Sequence, residues 1–122
     1  MADDGSVPSD VLYEDEYVRV TNTHVVLKAY YIPGLPKNIA FGDIEKCQTD
    51  RQYGVTPLGY KNWGMGLASI WWAWGGVPRE KYNYVITVRN AWPCCGFSVE
   101  RPAEFRAVLA AKGVPGIQKT DL

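Results

Sequence analysis

Aromatic and β-branched residues alternate with polar ones along much of this chain, the period-two pattern of half-buried strands. Tyr17-Val18-Arg19-Val20-Thr21 and Val25-Val26-Leu27-Lys28-Ala29-Tyr30-Tyr31 predict two strands. Asn22-Thr23 between them predicts a hairpin turn, because Asn tolerates positive φ. Pro33-Gly34-Leu35-Pro36 signals a loop, and Asn38-Ile39-Ala40-Phe41 a short third strand. Residues 43–46 read as a turn with Ile44 tucked inward, and Cys47 opens a further strand running to Arg51. Residues 54–62 read as an irregular loop. The apolar stretch 66–74 has glycine on both flanks and predicts one or two strands rather than a helix. Gly75-Gly76-Val77-Pro78 is a turn, 82–89 alternates well as a strand, 90–93 turns, and 95–99 is the last strand.

One segment has helical spacing. Phe105, Val108 and Leu109 share a face, Pro102 suits the first turn, and Glu104 lies near the positive end of the helix dipole. Gly113 fits the position after the last turn, and Pro115 forbids continuation, so a helix over 102–112 is predicted. The whole pattern is mainly β: about seven short antiparallel strands, then one amphipathic helix. A curved sheet leaves an open end that such a helix can cover with Phe105 and Leu109. That is the pleckstrin-homology (PH) architecture, a half-open barrel of about seven antiparallel strands capped by one C-terminal α-helix.

The stretch 60–79, YKNWGMGLASIWWAWGGVPR, changes the picture most, because it holds Trp63, Trp71, Trp72 and Trp74 among four glycines. Large rings supply much buried area at modest entropic cost, and glycines let backbones approach closely. In a strand Trp71 faces opposite to Trp72, and Trp72 shares a face with Trp74. One face can fill the barrel; the other is either covered by another segment or exposed to a partner.

At 122 residues the chain is one domain, long enough to bury a core without staples. Its formal net charge is zero, which points to neither a nucleic-acid nor a membrane partner, but the charge is unevenly spread. Residues 1–16 carry six acidic and no basic residues, so the remainder carries a net +6. Residues 1–10 read as a disordered acidic tail, 11–114 as the folded domain, and 115–122 as a C-terminal tail. The N-terminus lacks the basic and apolar regions of a secretory signal, and position 2 is Ala2, not the glycine that myristoylation needs. No apolar run reaches the ~20 residues of a membrane span. A cytoplasmic protein is expected. Cys47, Cys94 and Cys95 are odd in number and lack framework spacing, which predicts reduced thiols.

Four stretches together resemble a group of small, uncharacterised PH-like bacterial proteins. They are YEDEYVRVTNTHVVLKAYYIP at 13–33, KNIAFGDIEKC at 37–47, GYKNWGMG at 59–66 followed by WWAWGGVPREKYNYVI at 71–86, and FSVERPAEFRAVLAAKG at 97–113. The resemblance covers about residues 11–114 and implies the PH-like fold, with no activity attached to named residues. PH-like domains elsewhere bind phosphoinositides, peptides or partner proteins. The phosphoinositide type uses a basic cluster in the first strand loop; here that loop is Asn22-Thr23-His24 between Arg19 and Lys28.

The residues offer little for catalysis. His24 is the single histidine and sits at a turn, with no nucleophile elbow to serve. Asp43, Glu45 and Asp50 are close in sequence, but a paired acid–base role needs burial and a cleft. Cys94 and Cys95 are adjacent, so they face opposite ways in a strand and do not make the spaced pair of a zinc site. Gly75-Gly76 leads into a Pro turn rather than a phosphate-binding helix, so no metal or cofactor is expected. Basic residues lie singly among the rings, against a single-strand nucleic-acid groove. The expectation is a non-catalytic interaction or scaffold module. It would act by protein–protein contact or self-association through an aromatic patch of Trp63, Trp71, Trp72 and Trp74, with Arg79 and Lys81 beside the rings. The alternatives are peripheral binding of anionic membrane lipid through Arg19, Lys28, Arg79 and Lys81, or a small-molecule binding domain.

Overall fold

The computed structural model describes residues 10–32, 34–76, 79 and 82–117. The acidic tail expected over residues 1–10 therefore lies almost wholly outside the described residues, as does Lys81. Among the described residues nine strands form two sheets, and a C-terminal helix follows. The first sheet contains β1 (Val11–Glu14), β2 (Val18–Thr21), β3 (His24–Ile32) and β4 (Leu35–Ala40), in that order and antiparallel throughout. The second contains β5 (Ile44–Thr49), β6 (Gly64–Met65), β7 (Ile70–Trp72), β8 (Asn83–Val88) and β9 (Cys94–Ser98), in the order β5-β8-β9-β7-β6. All its pairings are antiparallel except β7 with β9, which run parallel.

The strand count exceeds the expected seven at two places. β1 forms because Tyr13 turns inward and pairs with Val20, a register too short for period-two reading to detect. The apolar 66–74 stretch supplies β7, and the two-residue β6 pairs across it, Gly64 with Trp72. β5 begins earlier than expected, at Ile44, and ends at Thr49, where a one-turn helix α1 (Asp50–Tyr53) takes over. Its capping box explains the switch: Thr49 Oγ1 accepts from the Gln52 N–H at 3.0 Å, and Gln52 Oε1 accepts from the Thr49 N–H at 2.9 Å.

One core joins both sheets and the helix α2 (Pro102–Ala111). Val18, Val20, Val25, Leu27 and Ile39 come from the first sheet, and Cys47, Tyr84, Ile86, Cys95 and Phe97 from the second. α2 inserts Phe105 and Leu109 on the face its spacing predicts, and Phe105 packs against Tyr13, Tyr84 and Phe97 with centroids 5.1–5.7 Å away. Arg106 is buried as well, its Nη1 donating to Tyr84 Oη at 3.0 Å. The chain then turns back along β5: Val114 is buried, and the Pro115 carbonyl accepts from the Cys47 N–H at 2.9 Å, which covers that edge strand.

The turn between β1 and β2 is locked to the start of α2. Asp15 is buried, and its carboxylate accepts from the backbone N–H groups of Tyr17 at 2.7 Å, Val18 at 2.9 Å and Glu100 at 2.9 Å, and from the Tyr13 hydroxyl. Tyr13 Oη in turn accepts from the Arg101 N–H at 3.1 Å. Three chain segments thus meet on one carboxylate.

Candidate binding surface

The tryptophans divide into two groups because the outer face of the second sheet is covered. Residues from α1 and the following loop, Tyr53, Val55, Tyr60 and Ala68, pack over Ile70, Trp72 and Val85 as a second, smaller core. Trp72 is fully buried there. Tyr60 stacks on it at 5.4 Å between centroids and 26° between planes, and the Arg79 guanidinium lies 4.5 Å from its ring centroid. Its Nε1–H donates to the Gly59 carbonyl at 2.8 Å. The ring also lies flat over β9 at Gly96, where a Cβ would come within 2.6 Å of Trp72 Cδ2, so only glycine fits. Trp72 is thus part of the interior and presents no surface to a partner.

Arg79 belongs to the same structural unit. It donates to the Lys61 carbonyl at 2.7 Å, the Asn62 carbonyl at 3.1 Å, Ser98 Oγ at 2.9 Å and the Ala73 carbonyl. Burial pulls its pKa down to about 10, which leaves it charged at neutral pH. Gly75 lies so close beneath the guanidinium that a Cβ there would meet Arg79 Nη1 at 2.5 Å. Ser98 passes the network on to Asn83 at 2.7 Å, and Asn83 to Asp50 at 3.4 Å. Asp50 also accepts from Tyr60 Oη at 2.8 Å, and Tyr60 is pushed up to about 12 by burial, with this hydrogen bond adding to it. Asp43 and Glu45 are exposed and Asp50 is committed to this network, so the three carboxylates do not converge.

Trp71 and Trp63 turn the other way, toward β3. Ala29 has φ of 50°, a left-handed conformation uncommon for a residue with a Cβ, and the β3–β4 register shifts between Leu27 and Ile32. The bulge turns two carbonyls toward the second sheet. That of Tyr30 accepts both indole N–H groups, from Trp63 at 2.8 Å and Trp71 at 2.9 Å, and that of Ala29 accepts from the Trp74 N–H at 3.2 Å. Trp71 packs against the main core, while Trp63 is 39% and Trp74 41% exposed. The rings run on as a row: Trp63 to Trp71 at 6.5 Å, Trp71 to Tyr30 at 6.2 Å, Tyr30 to Tyr31 at 5.0 Å.

That row ends in a surface cleft of about 200 Å³ lined by Tyr30, Tyr31, Lys37, Trp71, Trp92 and Pro93, with Val88 and Ala91. Trp92 is 72% and Tyr31 47% exposed. Lys37 lies 5.6 Å from the centroids of both Tyr30 and Tyr31, and its Nζ donates to Tyr31 Oη at 3.1 Å. Trp92 is the most exposed tryptophan among the described residues, whereas the sequence pattern places it in a turn and outside the expected patch. A signal was present: a large ring inside a turn between Asn90 and Pro93 has no strand face to bury it.

Two of the cations expected to meet lipid, Arg19 and Lys28, sit at the β1–β2 end of the first sheet. Arg19 Nη2 and Lys28 Nζ both contact Glu14 Oε2, at 2.9 and 2.7 Å, and Lys28 also donates to the Asp15 carbonyl at 2.7 Å. The hydrogen bonds from Arg19 and then Lys28 hold Glu14 below the usual carboxylate range. Among the described residues no group of three metal-ligating side chains converges, and no helix is long and apolar enough to cross a membrane. No family model, no curated protein and no solved structure matches the chain.

Proposed function

We propose that this chain is a non-catalytic PH-like interaction module that contacts a protein partner through the aromatic cleft at Tyr31 and Trp92. The PH-like reading is supported by the four-stranded sheet β1–β4, the antiparallel run β5-β8-β9 and the C-terminal α2, with β6 and β7 as an addition that carries Trp71 and Trp72. In this reading the two sheets form a half-open barrel and α2 caps it. The observation that carries the functional reading is Trp92, 72% exposed beside the half-exposed Tyr31 in a domain that buries Trp72 completely. Exposed large rings next to one another are what protein interfaces use as anchors. Peripheral lipid binding is the weaker reading, because Glu14 already neutralises much of the charge of Arg19 and Lys28.

A random peptide library selected in parallel on the wild type and on a Tyr31→Ala/Trp92→Ala variant tests this, with sedimentation velocity of both proteins over a range of concentrations. Peptides enriched only on the wild type support the module. Self-association lost in the variant assigns the same surface to a second copy. Identical selections together with two concentration-independent monomers would overturn the reading.

A further inference from the structure

Building on the proposed interaction surface, we infer that the Tyr31–Trp92 cleft takes an extended, proline-rich peptide segment carrying acidic residues. The argument starts from which hydrogen-bonding groups of the cleft remain available. Tyr30 Oη is turned inward onto Cys95 Sγ at 3.4 Å, and the Trp71 indole N–H is used on the Tyr30 carbonyl. The Tyr30 carbonyl is occupied twice, by Trp63 and Trp71. Three side chains are left to meet a ligand. The Lys37 ammonium has donated one hydrogen, to Tyr31. The Tyr31 hydroxyl accepts that bond and keeps its own proton. The Trp92 indole N–H has no partner among the described residues. Each of these three cleft side chains thus carries a donor, and one of them is charged.

A matching ligand presents acceptors, few donors and flat apolar surface. Proline segments have that chemistry: each X–Pro amide lacks the N–H and keeps its carbonyl, and the polyproline II helix is already extended, so little ordering entropy is lost on docking. Exposed rings such as Trp92 and Tyr31 are the surfaces on which pyrrolidine rings pack. Lys37 adds charge complementarity, which selects an acidic neighbour over a basic one. Size argues against a small organic anion as the main occupant. Sites that bury such ligands run from about 300 to 1,000 Å³, and this open cleft holds about 200 Å³. That suits side chains of a segment passing over the surface.

The test is amide-shift mapping on the ¹⁵N-labelled full chain with three acetylated, amidated peptides of equal length. They are a proline run flanked by glutamates, an alanine run flanked by glutamates, and a proline run flanked by lysines. The glutamate-flanked proline peptide should shift the amides of Tyr30, Tyr31, Lys37 and residues 88–92 and bind at least tenfold tighter than the alanine peptide. Trp92→Ala and, separately, Tyr31→Ala should each weaken it at least tenfold with the remaining amide spectrum retained. Lys37→Met should erase the preference for glutamate over lysine flanks. Equal binding of the alanine peptide, shifts centred elsewhere, or no shifts at millimolar peptide would each overturn the inference. If the library selection still yields peptides dependent on Tyr31 and Trp92 but poor in proline, this inference fails while the interaction module stands.

Discussion

Replacing Trp72 by Ala sets the two kinds of tryptophan against each other. Trp72 is fully buried, so truncation removes the ring and leaves a void against β9 at Gly96. Phe and Trp to Ala changes in cores cost about 3–5 kcal/mol. The Gly59 carbonyl also loses its donor, a net loss of about 1 kcal/mol, and the Arg79 guanidinium loses the ring it lies against, about 0.5–2 kcal/mol. These terms share atoms and do not simply add, which places the expected loss at about 5 kcal/mol. A domain has only about 5–15 kcal/mol in total. The variant should therefore lie near its unfolding threshold, with a midpoint at least about 15 °C lower if it folds at all. Trp92→Ala, at a site 72% exposed, should stay within about 0.5 kcal/mol of the wild type. Urea unfolding followed by far-ultraviolet circular dichroism measures both. A loss below about 2 kcal/mol for Trp72→Ala, or equal losses for the two variants, would refute the division into interior and surface rings. It also follows that Trp72 is the wrong position at which to probe binding, since its loss acts through the fold.

Gly96→Ala should cost about 1–3 kcal/mol by overpacking, because its Cβ would press into the Trp72 ring, and the cost should shrink in a Trp72→Leu background; urea midpoints of the double-mutant cycle check this. Asp15→Ala should destabilise by about 3 kcal/mol and speed hydrogen exchange at Val18 and Glu100, whose N–H groups lose their acceptor. Tyr60 is raised in the folded state to about 12 from its usual value near 10, so its contribution is complete below pH ~10 and is lost as pH rises through about 12. Tyr60→Phe should flatten that part of the alkaline stability profile in urea titrations between pH 9 and 12, and an unchanged slope would contradict the Tyr60–Asp50 contact. Burial raises the thiols of Cys47 and Cys95, so a thiol-disulfide reagent at neutral pH should modify at most Cys94 in the native protein and all three cysteines in denaturant, counted by mass spectrometry.

The sequence carried the local elements better than the surface. The 17–31 hairpin, the strand at 82–89 and the helix near 102–112 were legible because each rests on a strong local period or a breaker residue: Asn22, Pro102, Gly113. What it could not carry was long-range pairing. β7 runs parallel to β9 because the chain crosses over between Trp72 and Cys94, and nothing in residues 66–74 encodes that neighbour. The same crossover decides the fate of the rings. Alternation correctly places Trp71 and Trp72 on opposite faces, but whether the outer face is covered depends on Tyr53, at the end of the short helix α1, and on Val55 and Tyr60, which belong to a stretch read as an irregular loop. The pairing of Trp72 with Trp74 on one face fails for a simpler reason: β7 ends at Trp72, and Ala73, not Trp74, continues into the core. The cleft was missed since its parts, Tyr31, Lys37 and Trp92, lie on three separate segments.

The bulge at Ala29 and Tyr30 binds the history of three positions together. A carbonyl that accepts two indole N–H groups is useful only while both indoles are present and the strand keeps its kink. A strand without the kink turns that carbonyl back into its own ladder and leaves Trp63 and Trp71 with donors to bury. In descendants of this chain the two tryptophans and the irregular strand should therefore be inherited, or discarded, as a set. A sequence that keeps one indole without the other would mark a lineage in which the two sheets have found a different way to hold together.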